Sequence, residues 1–156
     1  MADTTLQSEG TSFHKSQRIA VVLVRGMVDV TTPVKDTLAM LRLHRKNYCV
    51  VLPNTAVVQG MLHKVKDYVT WGLISDDVYA KLMAARGEEW KARESDSKGT
   101  YVYGYLEING KKYKPYFRLN PPRKGFGRKG IKVSFKAGGA LGDRSEKMDD
   151  LIQRML

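Results

Sequence analysis

The hydrophobic pattern of the chain opens with Ile19-Ala20-Val21-Val22-Leu23-Val24, six residues apolar on both strand faces and ended by Arg25-Gly26. Such a run predicts a buried central strand. Thr32-Pro33 then supplies an N-cap followed by proline at the first helical position, and Val34, Leu38 and Leu41 recur at helical spacing as far as about Leu43. Tyr48 to Leu52 is a second strand, closed by Pro53. Asn54-Thr55 caps a second helix whose apolar stripe is Val57, Val58, Met61, Leu62 and Val65, and Tyr68-Val69-Thr70-Trp71 is a third strand. This β-α-β-α-β series predicts a small sheet with two helices on one face.

Beyond it the pattern changes. Ser75-Asp76-Asp77 is an N-cap with acids in the first turn, opening a helix (Val78, Leu82, Met83) that stops at Arg86-Gly87. Glu88 to Gly99 is charged and poor in aliphatics, which reads as a linker or a frayed surface helix. Tyr101, Tyr103 and Tyr105 alternate into Ile108, and Asn109-Gly110 signals a β-hairpin. Asp143 and Glu146 form a capping box for a terminal helix, Ser145 to about Met155, with Met148, Leu151, Ile152 and Met155 on one face. The expected organisation is a flexible tail over 1–17, a core over 18–74, and an extension over 75–156 carrying helix, hairpin, basic arm and terminal helix.

Charge changes the picture more than composition does. The chain of 156 residues has a net charge of +11, which points to nucleic acid or another anionic surface. From Met1 to Glu107 there are 14 basic residues against 12 acidic, from Ile108 to Gly142 there are 10 and none, and from Asp143 onward the net is −1. Nearly all the excess therefore belongs to one segment. Cys49 is the only cysteine, so no intrachain disulfide can form, and its strand setting suits a buried thiol better than a nucleophile. His14, His44 and His63 show no metal-ligand spacing. The longest strongly apolar run is too short to span a membrane, and the polar first 17 residues lack the apolar core of a signal peptide. The expectation is a soluble cytoplasmic protein without metal, cofactor or small-molecule substrate.

The charged segment contains Gly125-Phe126-Gly127-Arg128-Lys129-Gly130, a literal GxGxxG. A dinucleotide loop needs a strand before its first glycine and a helix after its last, because the pyrophosphate rests on the helix N-terminus. Here Asn120-Pro121-Pro122-Arg123-Lys124 precedes it and the strand-like Ile131-Lys132-Val133-Ser134-Phe135 follows. A cationic arm is the better account: Arg118, Arg123, Lys124, Arg128, Lys129, Lys132 and Lys136, with Lys114 upstream, have no acid among them to pair with, and the glycines let the backbone approach RNA closely. A solvated loop that binds nothing is the bland alternative, disfavoured by mutual repulsion of the cations. Arg42, Arg45, Lys46 and Lys64 are weaker candidates, since cations at helix ends also stabilise the carbonyl terminus or are simply solvated, and Arg25, after a strand and before Gly26, is placed at a sheet edge. Tyr101, Tyr103, Tyr105, Tyr113 and Tyr116 can stack on bases, although cross-strand packing is the simpler role. No catalytic constellation is present in the sequence.

These residues resemble the universal large-subunit ribosomal protein family numbered thirty in its archaeal form, whose eukaryotic counterpart carries the number seven. The likeness rests on Arg25-Gly26, Thr37-Leu38, Leu41-Arg42-Leu43, Arg45-Lys46, Thr55, Gly60-Met61, Val65 and Tyr68-Val69 in the core. In the longer part it rests on Trp71-Gly72, Leu119-Asn120-Pro121-Pro122-Arg123 and Lys129-Gly130-Ile131-Lys132. Gln59 departs from the arginine common there. The resemblance implies a ferredoxin-like α+β core, a three-stranded antiparallel sheet with two helices, and a structural, non-enzymatic role bound to large-subunit rRNA. It implies that the basic edge of the core, with Thr55, and the extension face RNA. The small rRNA of the same subunit and neighbouring ribosomal proteins are the further expected partners. An RNA-associated regulator or assembly factor with the same fold is the alternative.

Overall fold

The structure, a computed structural model, describes residues 18–156 apart from 94, 102, 103 and 109. The expected tail over 1–17, Tyr103 and the turn residue Asn109 lie outside the described residues. In chain order the elements are β1 (Arg18–Leu23), α1 (Thr32–Met40), β2 (Tyr48–Pro53), α2 (Ala56–Lys64), β3 (Val69–Leu73), α3 (Asp76–Arg86), β4 (Leu106–Ile108), β5 (Lys111–Tyr113), β6 (Phe117–Arg118), β7 (Gly142–Asp143) and α4 (Met148–Met155).

β1 is the central strand, with β2 and β3 antiparallel on either side; Val21 lies opposite Val50 and Trp71. Its alternate residues feed two different cores. Ile19, Val21 and Leu23 pack with Leu38, Leu41, Leu43, Leu62 and Val65 from the α1 and α2 side. Ala20 and Val22 pack with Cys49 against Val78 and Leu82 of α3 and Met148, Leu151, Ile152 and Met155 of α4. The ferredoxin-like core is therefore present, and the extension adds a helical layer on its second face. That second layer is why β1 is apolar on both faces. It also makes Cys49 chemically quiet, since burial pushes its thiol up to about 12.

The extension also closes both edges of the sheet. β6 pairs antiparallel with β2, and β7 pairs parallel with β3, giving five strands in the order β6-β2-β1-β3-β7. On the second face Gly72 has no room for a side chain, because a Cβ there would strike the Ser145 carbonyl and sit 2.8 Å from the Met148 Cβ. The hairpin β4–β5 stands apart as a two-stranded sheet with Ile108 opposite Lys111 and Gly110 at φ 73°. Residues 88–90, expected as linker, run beside β5: the Trp90 N–H donates to the Lys112 carbonyl and the Lys114 N–H to that of Glu88.

Several local expectations shift for identifiable reasons. The N-cap of α1 is Thr31, without a side-chain cap bond, and the helix ends at Met40 because Arg42 turns left-handed (φ 60°). Thr55 caps α2 by accepting the Val58 N–H at 3.3 Å, but Val57 is 74% exposed, one position off the buried stripe. Ser75 caps α3 as expected, accepting from Val78 N–H. Asp143 makes no capping box: its carboxylate accepts the Ser145 N–H at 2.9 Å, and a 3-10 turn over Ser145–Lys147 precedes α4. Ile131 to Phe135 is not a strand, because the Val133 carbonyl is taken by the Ala140 and Leu141 N–H groups within the arm itself.

Candidate nucleic-acid interface

The sheet order determines which cations meet. β2 and β3 both begin where β1 ends, so Arg25 after β1, Arg45 and Lys46 before β2, and Lys64 at the end of α2 lie at one end of the sheet. The arm leaves and returns at that same end, since Arg118 pairs with Tyr48 and Gly142 with Thr70. Contact between Val24 and Ala140, Leu141 and Phe126 seats the arm there. Arg45, Lys46, Lys64, Arg123, Lys124, Arg128, Lys129, Lys132 and Lys136 are all exposed. Arg25 is half-buried, donating to the Asp67 carbonyl at 3.1 Å and lying 4.9 Å over the Tyr68 ring.

The arm is a folded loop. The Lys129 N–H donates to the Gly138 carbonyl, the Gly139 N–H to Ser134, and the Gly130 N–H to Gly127. Its glycines serve packing within the protein. A Cβ on Gly127 would strike the Gly139 carbonyl, and one on Gly139 would strike that of Val133, whereas Gly125 and Gly130 hold left-handed turns at φ 76° and 85°. The loop thus presents its cations from a shaped backbone.

Two arginines that sequence reading passed over hold this shape. Arg144 is 4% exposed; its Nε donates to Thr70 Oγ1 at 2.9 Å, its Nη2 to the carbonyls of Phe126 (2.7 Å) and Ala140 (3.2 Å), and its guanidinium lies 4.4 Å over the Phe135 ring. It ties β3, the glycine loop and the return strand together. Arg154 donates from Nη1 to the Gly125 and Arg123 carbonyls at 2.8 and 3.1 Å while its Nε binds Asp150. In sequence that last pair reads as an ordinary i,i+4 helix pair, and Arg144 has no local signal at all.

The remaining candidates have partners within the fold. Glu88, from the supposed linker, accepts Lys114 Nζ at 2.6 Å and Arg118 Nε at 2.7 Å, so these two cations are not unpaired as their local sequence suggests. Arg42 donates to the Gly104 carbonyl at 3.2 Å. Thr55 lies after β2, at the opposite end of the sheet from the arm. The hydrogen bonds from Lys114 and then Arg118 hold the Glu88 carboxyl below the usual carboxylate range. A carboxyl with a lowered folded pKa contributes stability above its unfolded pKa and loses it as pH falls through the folded value. The stability difference between wild type and Glu88→Gln, followed by urea unfolding, is therefore expected to be full at neutral pH and to vanish on acidification below about pH 4. A difference that stays constant into acid would remove the pair from the account.

Among the described residues no group of three histidines, cysteines or carboxylates is placed to hold a metal ion, and no helix is long and apolar enough to cross a membrane. Residues 19–69 match the family described as ribosomal protein L30p/L7e. The large ribosomal subunit protein uL30 of Nanoarchaeum equitans is 42% identical over 151 residues, covering 88% of this chain and 97% of that protein. Its counterpart in Methanococcus maripaludis is 43% identical over 153 residues, covering 88% and 98%, and that of Methanopyrus kandleri 40% over 149 residues, covering 85% and 100%. With 40% to 43% identity over 85% to 88% of its length, the chain belongs to the uL30 family of large ribosomal subunit proteins.

Proposed function

We propose that the chain is a structural, non-enzymatic constituent of the large ribosomal subunit that binds large-subunit rRNA and supports its folding and assembly. The observation that carries this reading is the extent of the likeness, which takes in 97% to 100% of the named relatives. Its partners are then large-subunit rRNA, the small rRNA of the same subunit and neighbouring ribosomal proteins, and its place is the cytoplasmic ribosome. The RNA-facing surface is the basic end of the sheet: Arg25, Arg45, Lys46 and Lys64 from the core with Arg123, Lys124, Arg128, Lys129, Lys132 and Lys136 from the arm. Arg42, Lys114 and Arg118 are each engaged in a contact within the fold, and Thr55 caps α2 at the opposite end of the sheet. The core over 18–74 carries the fold of the family, and the extension over 75–156 carries most of the charge.

Exposed cations that release counterions from phosphate leave a trace in salt dependence. In an Arg128→Gln/Lys129→Gln chain, the slope of log affinity for an rRNA transcript against log salt is expected to flatten by about 0.9 per lost contact on duplex and about 0.7 on single strands. Lys81→Gln, on the exposed side of α3, is the control. An unchanged slope in the double variant would take the arm out of the interface. Failure of the wild-type chain to cosediment with large subunits would sink the function itself.

A further inference from the structure

Between the glycine loop and α4 lies a cavity of about 370 Å³ whose charged lining is Lys124, Arg128, Arg144, Lys147 and Arg154 against one acid, Asp150. That acid is taken, since Arg154 binds it at 3.0 Å, and its side chain is 73% exposed. Arg144 is buried with neutral partners only, the Thr70 hydroxyl and the Phe126 and Ala140 carbonyls. Burial and then the nearby Arg154 charge hold its pKa down to about 10 against a smaller raising effect of Asp150, which leaves it cationic at neutral pH. Lys124, Arg128 and Lys147 are exposed and form no ion pair among the described residues. Phe126, Gly127 and Arg128 also line the cavity, and among the described residues their main-chain N–H groups have no backbone acceptor.

A concave site walled by cations with apolar rings at its side focuses positive potential. A buried guanidinium whose hydrogen-bond partners are all neutral favours an anion brought to it. We propose that this cavity takes a phosphate group of RNA, gripped by Lys124 and Arg128 from the loop and Lys147 from the helix side, with Arg144 at its floor. The volume exceeds that of one phosphate and leaves space for the attached ribose. The inference rests on the reading that the chain binds rRNA, and it adds Lys147, which lies outside the arm and outside the residues the sequence pointed to.

The test is Lys147→Gln in the full chain, chosen because the side chain is exposed and its removal leaves the core intact. Binding to a large-subunit rRNA transcript is measured across salt, with Lys81→Gln alongside and thermal unfolding as a check on folding. The slope is expected to fall by about 0.7 to 0.9 for the lysine at the cavity and not for the control. In parallel, inorganic phosphate at constant ionic strength is titrated against the Gly125, Gly127 and Lys147 amide resonances. An unchanged slope overturns the proposal while leaving rRNA binding in place, and saturable phosphate shifts in that case assign the cavity to free anions. If the wild-type chain does not bind the transcript, the broader functional reading fails with it.

Discussion

Replacing Arg144 by alanine is expected to lower the unfolding free energy by about 3 kcal/mol, because a buried charged donor making several hydrogen bonds is worth more than a neutral one. The side chain joins three segments that are far apart in sequence: Thr70 on β3, Phe126 in the glycine loop and Ala140 on the return to β7. Its loss leaves the Phe126 and Ala140 carbonyls without that donor. Arg144→Met separates this effect from simple loss of volume, and it should recover only part of the stability. Urea unfolding followed by circular dichroism measures both. A change under about 1 kcal/mol in the alanine variant, the range of an ordinary exposed contact, would show that the arm holds its shape without this arginine. If the arm is the RNA-binding surface, rRNA affinity should fall in the same variants although Arg144 is not itself exposed.

Residues 18–74 expressed alone are expected to show no cooperative unfolding transition. The segment holds the whole β-α-β-α-β core, yet the second face of its sheet is completed by the extension. Ala20, Val22 and Cys49 would lose Val78, Leu82, Phe117, Met148, Leu151, Ile152 and Met155, and both sheet edges would lose their short partner strands. Domains of roughly 60 residues bury a small share of their surface and have little stability to spare. Open edges also invite pairing between chains. Dye binding, aggregation and a non-sigmoidal urea curve are the expected signs. A monomer that unfolds cooperatively would establish the core as an independent folding unit.

Much of the fold was legible because the signals are local. Thr55 and Ser75 cap their helices through a hydroxyl accepting an N–H three residues on, a geometry set within one turn. Gly110 takes the left-handed conformation that a two-residue hairpin turn demands. The apolar run of β1 announced burial on both faces, although it did not say that α3 and α4 supply the second layer. Val57 shows where periodicity fails: it is apolar at nearly the right spacing, but the packing direction of α2 leaves it in solvent. Within the basic segment the missing acids misled, because Glu88 reaches Lys114 and Arg118 from 26 and 30 residues away.

By itself the sequence determined the order β1-α1-β2-α2-β3-α3 and the hairpin after it, the caps of α2 and α3, the crowding of charge between Ile108 and Gly142, and the lack of a dinucleotide-loop setting around the glycine motif. Those follow from neighbours along the chain, where backbone propensity and side-chain capping act over a few residues. Only the tertiary structure decided that cations from three connections and the arm share one end of the sheet, that Gly127 and Gly139 make room for neighbouring backbone, and that Arg144 anchors the loop. The Arg144 to Thr70 bond spans 74 residues. Contacts of that kind depend on strand order and edge pairing, which arise when two helical layers close on one sheet.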